Sequence, residues 1–472
     1  MAGQGLWQHQ REAIMYARGR LAVILYIGMG AGKTRTAIEI LKEYLLGRHA
    51  PRVLVCCPKA VVDAWAKQMR LWWPEVRVLC LTKGTAAEKE QQVKAATADL
   101  SPLIVVVNYE TAWRMPITEK IKWTSLVWDE VHRLKAPSGA TSRWAARMGL
   151  KNPEAKRLGL SGTLIAHSPL DAWGVYRAME SPDMTTFPRT YTTFKARYCV
   201  TNPRVPGMVL RFVNQDEMQQ KITATTFHRR TEDCVDLPPI SHDELAFDLS
   251  PTEARVYVEL EKEFCALLGD KTVTPANAMV SALRLLQCCG GFVTADGDKT
   301  ATAIDPDGSS KARRLAEWLE DFPAREPLVV FCRFKADLDA ARAAIEASGR
   351  TASELSGRMN DLARWQAGST DALVAQIQSG GIGIDLTRAS FGIFYSIGHS
   401  LSEYLQAVAR LHRPGQTKHT QFYSLVARLP SNRSSVEARV YTALAERKDV
   451  VDALVSHYRG SLGHLVAAER DC

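Results

Sequence analysis

Two rhythms of apolar and polar positions run along the chain. Unbroken Val/Ile/Leu runs of strand length recur in the first third: LAVILYI (Leu21–Ile27), RVLVCC (Arg52–Cys57), LIVVV (Leu103–Val107) and SLVWDE (Ser125–Glu130). A run with no alternating polar face predicts a strand covered on both sides. Between the runs, stretches such as TAIEILKEYLL (Thr36–Leu46) space their apolar residues three and four apart, the pattern of an amphipathic helix. Strand and helix in alternation predict an α/β fold: a doubly wound parallel sheet with helices on both faces. The last third repeats this with PLVVFC (Pro327–Cys332), ALVAQI (Ala372–Ile377) and FGIFYSI (Phe391–Ile397) around helical stretches such as KADLDAARAAIEAS (Lys335–Ser348). The middle differs. Ser250–Leu268 and Asn277–Gln287 read as helices, TNPRVPG (Thr201–Gly207) as a loop, and Gly291–Lys311, rich in Gly, Asp and Thr, as a linker. The expected organisation is one lobe over 1–170, a mainly helical insert and linker over 171–305 with no clear hairpin, and a second lobe over 306–472.

Composition narrows the class. The chain has 472 residues, 46% hydrophobic and 24% charged, which excludes a disordered chain, a collagen-like chain and a small disulfide scaffold. Sixty Lys+Arg against 51 Asp+Glu give a net charge of +9, compatible with a polyanionic partner without requiring one. The 10 cysteines show no zinc-ligand spacing. The longest apolar stretch falls short of the ~20 residues that span a bilayer. The start, MAGQGLWQHQREA, lacks the features of a secretory signal. A cytoplasmic protein with reduced, mostly buried thiols is expected.

Chemistry gathers at three places. Gly28-Met29-Gly30-Ala31-Gly32-Lys33-Thr34 follows a predicted strand and opens a predicted helix. Glycines there let backbone N–H groups crowd phosphate oxygens at a helix N-terminus. Lys33 would reach the β/γ-phosphates of ATP and Thr34 would bind Mg²⁺. One departure stands out: Ile27 occupies the position where the common phosphate loop has its first glycine. Asp129 and Glu130 end an apolar strand, where two adjacent carboxylates are costly unless they serve a cation. Asp129 would hold Mg²⁺ and Glu130 would activate the attacking water. Near the far end, Arg410 and Arg413 stand three apart, so on a helix they would share a face and suit γ-phosphate charge in a transition state. Trp72-Trp73 suits base stacking, but more often such a pair closes an apolar seam between helix and loop.

The order of these motifs resembles the Swi/Snf-type branch of helicase-like ATPases, in the DExH-box part of helicase superfamily two. Leu6-Trp7-Gln8-His9-Gln10 is similar to the adenine-reading segment, with Gln10 as its glutamine. Met29–Thr34 resembles MGLGKT, and the family has no glycine where Ile27 stands. Cys57-Pro58-Lys59 followed by Trp65, and Asn108-Tyr109-Glu110-Thr111, resemble two nucleic-acid motifs. Asp129–Lys135 resembles DEAHRIK, with Val131 for alanine. Leu160-Ser161-Gly162-Thr163 resembles the coupling motif LTGTP, with Leu164 in place of proline. His228–Pro239 resembles the stretch leading into the second lobe. Ser379–Thr387 resembles AGGLGINLT, with Asp385 for asparagine, and Gln406–Gln416 resembles QAIGRAHRIGQ.

The resemblance implies two RecA-like lobes with ATP between them, completed by Arg410 and Arg413. It assigns Gly383 and Asp385 to the nucleotide, and His132, Ser161, Thr163 and Gln406 to coupling. It gives Lys59, Asn108, Tyr109 and Thr387 to the phosphate backbone of double-stranded or branched DNA, without base specificity. The implied activity is a monomeric DNA translocase remodelling DNA by branch migration, annealing or fork regression. A strand-separating DNA or RNA helicase is the first alternative. An ATPase displacing a DNA-bound protein such as RNA polymerase is the second. A nucleotide-binding module without turnover is disfavoured because Lys33, Asp129, Glu130, Arg410 and Arg413 are all present. No chromatin-binding module is evident, which suggests a bacterial or phage setting.

Overall fold

The computed structural model describes residues 5–162, 169–182, 185–203, 209–269, 275–294, 300–378, 384–430 and 433–446. The described chain divides into two compact units, one ending at Asp236 and the other starting at Leu237.

The first unit is built on seven strands: β1 (Ala22–Ile27), β2 (Arg52–Cys57), β3 (Arg77–Cys80), β4 (Leu103–Asn108), β5 (Ser125–Asp129), β6 (Lys156–Ser161) and β9 (Thr226–Arg229). Their spatial order is β3-β4-β2-β5-β6-β1-β9 and every pairing is parallel. Parallel pairing places all carboxyl ends on one edge. β2, β4, β5 and β6 are buried along their whole length, as the unbroken apolar runs require. Alternate side chains feed opposite cores: Leu54, Cys56, Val105, Val107, Leu126 and Trp128 on one face, Val53, Val55, Ile104, Val106 and Val127 on the other. Each such aliphatic residue contributes roughly 1.5–3 kcal/mol by leaving water. Three helices position the site: α1 (Gln8–Ala17), α2 (Lys33–Leu45) and α3 (Val62–Trp72).

The second unit repeats the design with β10 (Ile240–Asp248), β13 (Leu328–Cys332), β14 (Ala352–Leu355), β15 (Ala372–Gln376), β16 (Phe391–Phe394) and β17 (Thr420–Arg428). The order β10-β17-β16-β13-β15-β14 is again parallel throughout. Both expected parallel sheets are therefore present.

The stretch 171–305 is divided rather than set apart. Its residues up to 236 belong to the first unit, where β9 extends the sheet beside β1. From 237 they belong to the second, where β10 pairs with β17 over nine residues. Both are edge strands. Polar residues interrupt ISHDELAFD, most of which is exposed, so no buried run marks it in the sequence. The expectation of no hairpin in this stretch is overturned by two antiparallel pairs. One joins β7 (Cys199–Thr201) to β8 (Val209–Phe212). The other joins β11 (Phe292–Thr294) to β12 (Ala301–Ala303). These strands of three or four residues are too short to show a hydrophobic period.

Candidate functional site

In the first unit the loop Gly28–Gly32 runs from the end of β1 to the start of α2. Gly30 and Gly32 have φ of +77° and +78°, the left-handed region that glycine enters without strain. Gly32 caps α2, so the helix begins at Lys33 with its N-terminus at the end of the loop. Lys33 Nζ donates to the carbonyls of Ile27 (3.0 Å) and Gly28 (3.2 Å), folded back over its own loop. A Cβ at Gly32 would lie 2.3 Å from Gln10 Nε2. Gln10 donates to the Gly32 carbonyl at 3.3 Å and accepts from Trp7 N at 2.9 Å. His9 Nε2 lies 2.8 Å from the Ala31 carbonyl. Both side chains are buried, so α1 is fastened to the phosphate loop where the sequence places Gln10.

Two supports were not legible in advance. Thr231 Oγ1 donates to the Met29 carbonyl (3.2 Å), and Gly28 N donates to the Arg229 carbonyl (2.9 Å). A side chain at Gly28 would collide with Thr231, its Cβ 2.1 Å from Oγ1. These partners stand some 200 positions away in sequence.

The strand order β5-β6-β1 puts the other groups alongside. Asp129 ends β5, Ser161 ends β6, and the loop leaves β1. Asp129 is buried, 5% exposed. Its Oδ2 accepts from Trp65 Nε1 at 2.8 Å, its Oδ1 from Glu130 N at 3.0 Å. Burial, then the adjacent Glu130 carboxylate, pushes Asp129 well above the usual carboxylate range, against the Trp65 N–H and Lys33. Glu130 has φ +51°, ψ +55°, a backbone strained for a non-glycine residue, which turns the chain sharply at the strand tip. His132 Nδ1 lies 3.3 Å from Glu130 Oε2 and 3.1 Å from Ser161 Oγ, so one ring nitrogen touches the expected base and the expected coupling serine. The structure thus brings Gln10, Gly28, Gly30, Gly32, Lys33, Thr34, Asp129, Glu130, His132 and Ser161 to one edge of one sheet. Thr163 lies outside the described residues.

Next along the same edge come β2 and β4. Lys59 begins a short 3₁₀ turn after β2 and is exposed. Asn108 ends β4 and donates from Nδ2 to Glu110 Oε2 at 2.9 Å. Tyr109 departs from expectation: its side chain is 1% exposed, with the hydroxyl donating to the Asp129 carbonyl at 2.8 Å. Trp72 and Trp73 are half-buried against the core on the α2 side, and Arg35 stacks 3.5 Å over the Trp72 ring, as a seam would.

In the second unit, the helix Leu401–Leu411 carries Gln406 and Arg410. They line a small cleft with Gln376, Ile377 and Ile384. Arg413 does not share that helix: His412 is the C-cap, and Pro414 disfavours helical backbone at the residue before it. Arg413 is instead brought back by a hydrogen bond from Nη1 to the Ile384 carbonyl at 3.1 Å, while Leu386 N donates to the Arg410 carbonyl at 3.1 Å. Asp385 Oδ1 accepts from Thr387 N (2.9 Å) and Thr387 Oγ1 (2.7 Å). Arg410, Arg413, Asp385 and Thr387 therefore form one neighbourhood. Gly383 lies outside the described residues.

Comparison with known proteins finds matches along most of the chain. The model for the SNF2-related domain matches residues 8–291, and that for the helicase conserved C-terminal domain matches 310–415. A chromodomain-helicase-DNA-binding protein 1-like protein of Danio rerio is 23% identical over 92% of this chain and 42% of its own length. Putative protein p41 of Acyrthosiphon pisum secondary endosymbiont phage 1 is 24% identical over 84% of this chain and 85% of its own. The chain thus spans less than half of the zebrafish relative and most of the phage one. Among solved structures, the Sulfolobus solfataricus SWI2/SNF2 ATPase core in complex with dsDNA is 18% identical, with a TM-score of 0.42, over 97% of this chain and 94% of that one. With the family model matching well over half of its length, the chain belongs to the SNF2-related family and carries its helicase-like ATP hydrolase core.

Proposed function

We propose that this chain is an ATP-driven translocase that moves along double-stranded or branched DNA. The observation that carries the reading is the row of carboxyl ends β4-β2-β5-β6-β1. It sets Asn108 and Lys59 beside Asp129 and Glu130, then Ser161, then the phosphate loop. Nucleotide and polynucleotide groups therefore share one sheet edge, where a shift at one is felt at the other.

ATP phosphates sit on the α2 N-terminus and the loop N–H groups, with Lys33 leaving its carbonyl partners for the β/γ-phosphates. Gln10 reads the adenine. Mg²⁺ fits the donor set: a carboxylate whose pKa is pushed up by burial and by the adjacent Glu130, and a hydroxyl, Thr34, in the first turn of α2. The ion would neutralise phosphate charge when bound. Glu130 takes the proton of the attacking water, while His132 reports its state to Ser161. Arg410 and Arg413 supply guanidinium groups to the γ-phosphate late in the cycle, and Asp385 with Thr387 holds their neighbouring loop in shape. Lys59, Asn108 and Thr387 meet DNA phosphates without reading bases. The chain acts as a monomer in the cytoplasm of a prokaryotic or phage-infected cell, and its remodelling task is branch migration, annealing or fork regression.

A strand-separating helicase is the second reading, favoured by the antiparallel pair β7–β8, which exposes Leu210. Steady-state ATP turnover separates the two, measured without nucleic acid and with single-stranded DNA, double-stranded DNA, forked DNA and RNA. Stimulation by double-stranded or forked DNA is expected. Stimulation by single strands or RNA alone would transfer the reading to strand separation, and high turnover without nucleic acid would point to a protein partner.

A further inference from the structure

The two loops assigned to nucleic acid each send an aromatic side chain inward to the same residue. After Lys59 the chain turns into α3, and in the first turns of that helix Trp65, fully buried, donates from Nε1 to Asp129 Oδ2 at 2.8 Å. After Asn108, Tyr109 donates from its hydroxyl to the backbone carbonyl of Asp129 at 2.8 Å. The second loop has one more tie. Asn108 holds Glu110, and Glu110 Oε1 accepts from Arg133 Nη2 at 2.7 Å, three residues beyond Glu130. Asp129 is thus gripped at the side chain from one loop and at the main chain from the other, while Lys59 of the first and Glu110 of the second are exposed.

We infer that Trp65 and Tyr109 are positioning residues that set the Asp129 carboxylate for its metal ion and transmit nucleic-acid binding to it. The inference rests on the proposed translocase reading and deepens it. An indole N–H has one direction and no acceptor role, so it fixes the plane of the carboxylate and leaves the outer lone pairs for the ion. A displacement of α3 or of the Asn108–Glu110 turn when phosphates settle there would move a donor by the same amount. Hydrogen bonds weaken steeply once the donor angle falls below about 120°, so a shift that misaligns either donor loosens the hold on Asp129. The bland alternative is two aromatic residues in a core. Two polar atoms ending on one functional residue argue against it.

Three variants of the full chain test this. Trp65→Phe and Tyr109→Phe remove one polar group each and keep the ring. Trp144→Phe is the control: Trp144 is equally buried in the same unit, but its Nε1 donates to Thr118 Oγ1 at 3.3 Å, away from the site. Binding of a fluorescent ADP analogue is titrated at rising Mg²⁺, alongside thermal unfolding and the ratio of turnover with double-stranded DNA to turnover without. Trp65→Phe is expected to raise the Mg²⁺ concentration at half-effect about tenfold, the weight of one hydrogen bond to a charged group. Tyr109→Phe should raise it about threefold, and both should cut the stimulation ratio while DNA affinity stays within twofold. Trp144→Phe should lower the unfolding temperature and leave the other readouts alone. Equal Mg²⁺ midpoints in all three variants would overturn the inference, as would an unfolded Trp65→Phe together with a Tyr109→Phe that behaves as wild type. A wild-type chain lacking DNA-stimulated turnover would instead fail the translocase reading itself.

Discussion

Among the described residues each unit buries one aspartate above the ordinary carboxylate range, and the charge that weighs most on each has opposite sign. Asp129 stands at a strand tip beside a second carboxylate, and its help is an indole N–H, the Glu130 backbone N–H and a lysine hydrogen-bonded to its own loop. Asp337, on the helix Lys335–Ala347, is fully buried and held up to about 6 by burial, against Lys311 and the Ser396 hydroxyl. Lys311, also fully buried, is paired to Glu437, and Glu437 Oε2 accepts from Ala427 N at 3.1 Å. The Lys311 ammonium is seated near the Phe247 and Tyr395 rings, at 5.7 and 5.4 Å. Burial alone would discharge this lysine, but the two carboxylates outweigh it and raise its pKa. A buried charge with a buried counter-charge fastens elements together: here the helix Val436–Ala445 to β17 and the sheet. At Asp129 the adjacent carboxylate outweighs the Lys33 ammonium, which is the condition of a site. Asp337 also feels the Glu437 carboxylate, but there the Lys311 ammonium weighs more; perturbation alone does not distinguish site from core, and the balance of neighbouring charges does.

The comparison breaks first on chemistry. Asp129→Asn and Lys33→Ala should each take ATP turnover to background, a loss of about 10³-fold or more. Lys33→Ala should leave the unfolding temperature unchanged, because the loop keeps its Arg229 and Thr231 supports; Asp129→Asn relieves repulsion from Glu130 but sets an amide N–H against one of its two donors, so about 1–3 kcal/mol of stability is lost. A stable variant of either kind with wild-type turnover would remove that residue from the site. Arg413→Ala comes next. It should cut turnover by about 10³-fold at unchanged ATP affinity, as loss of an arginine finger does. Weaker ATP binding with normal turnover would make Arg413 a binding residue.

Asp337 supplies the stability half. Its carboxyl keeps a proton in the folded state up to about pH 6, whereas in the unfolded chain it releases it near the ordinary 3.8. Between those values the folded state holds more protons, so stability from this group is full below about pH 4 and falls as pH rises toward 6. The loss is on the order of 3 kcal/mol. Asp337→Asn should flatten that part of the stability curve, measured by urea unfolding from pH 4 to 7.5, with turnover within twofold of wild type. Parallel curves would mean that Lys311 neutralises Asp337 completely.

Much of this was legible along the chain because it is local. The strand runs, the Gly28–Thr34 loop and the Asp129–Glu130 tip are contiguous, and each is dictated by neighbours within a few residues. What escaped is long-range or at an edge. Thr231 against Met29 pairs residues some 200 positions apart, and no local pattern points to it. β9 and β10 lie at sheet edges, where one side needs no apolar cover. Trp65 was visible as part of a motif resembling a nucleic-acid contact, but its tie to Asp129 was not, because a hydrogen bond to another strand leaves no period. The placement of Arg413 was the exception: Pro414 stood in plain view and forbade the continued helix.

The smallest expected effect concerns polynucleotide contact, where each unit offers one residue of different chemistry. Lys59 is an exposed cation at the head of a short turn. Thr387 is neutral and half-buried, with its N–H and hydroxyl both given to Asp385. A lysine on a phosphate releases counterions, whereas a threonine already bonded to its own loop has little to release. Lys59→Ala should therefore weaken binding of a double-stranded oligonucleotide a few-fold and lower the slope of log affinity against log salt by about 1. Thr387→Ala should change affinity less than twofold and leave the slope alone. Fluorescence anisotropy between 50 and 200 mM salt reads both. Equal slopes for the two variants would remove Lys59 from the DNA path. A steeper loss for Thr387→Ala would mean that the Asp385 loop opens on binding and offers its hydroxyl to the backbone.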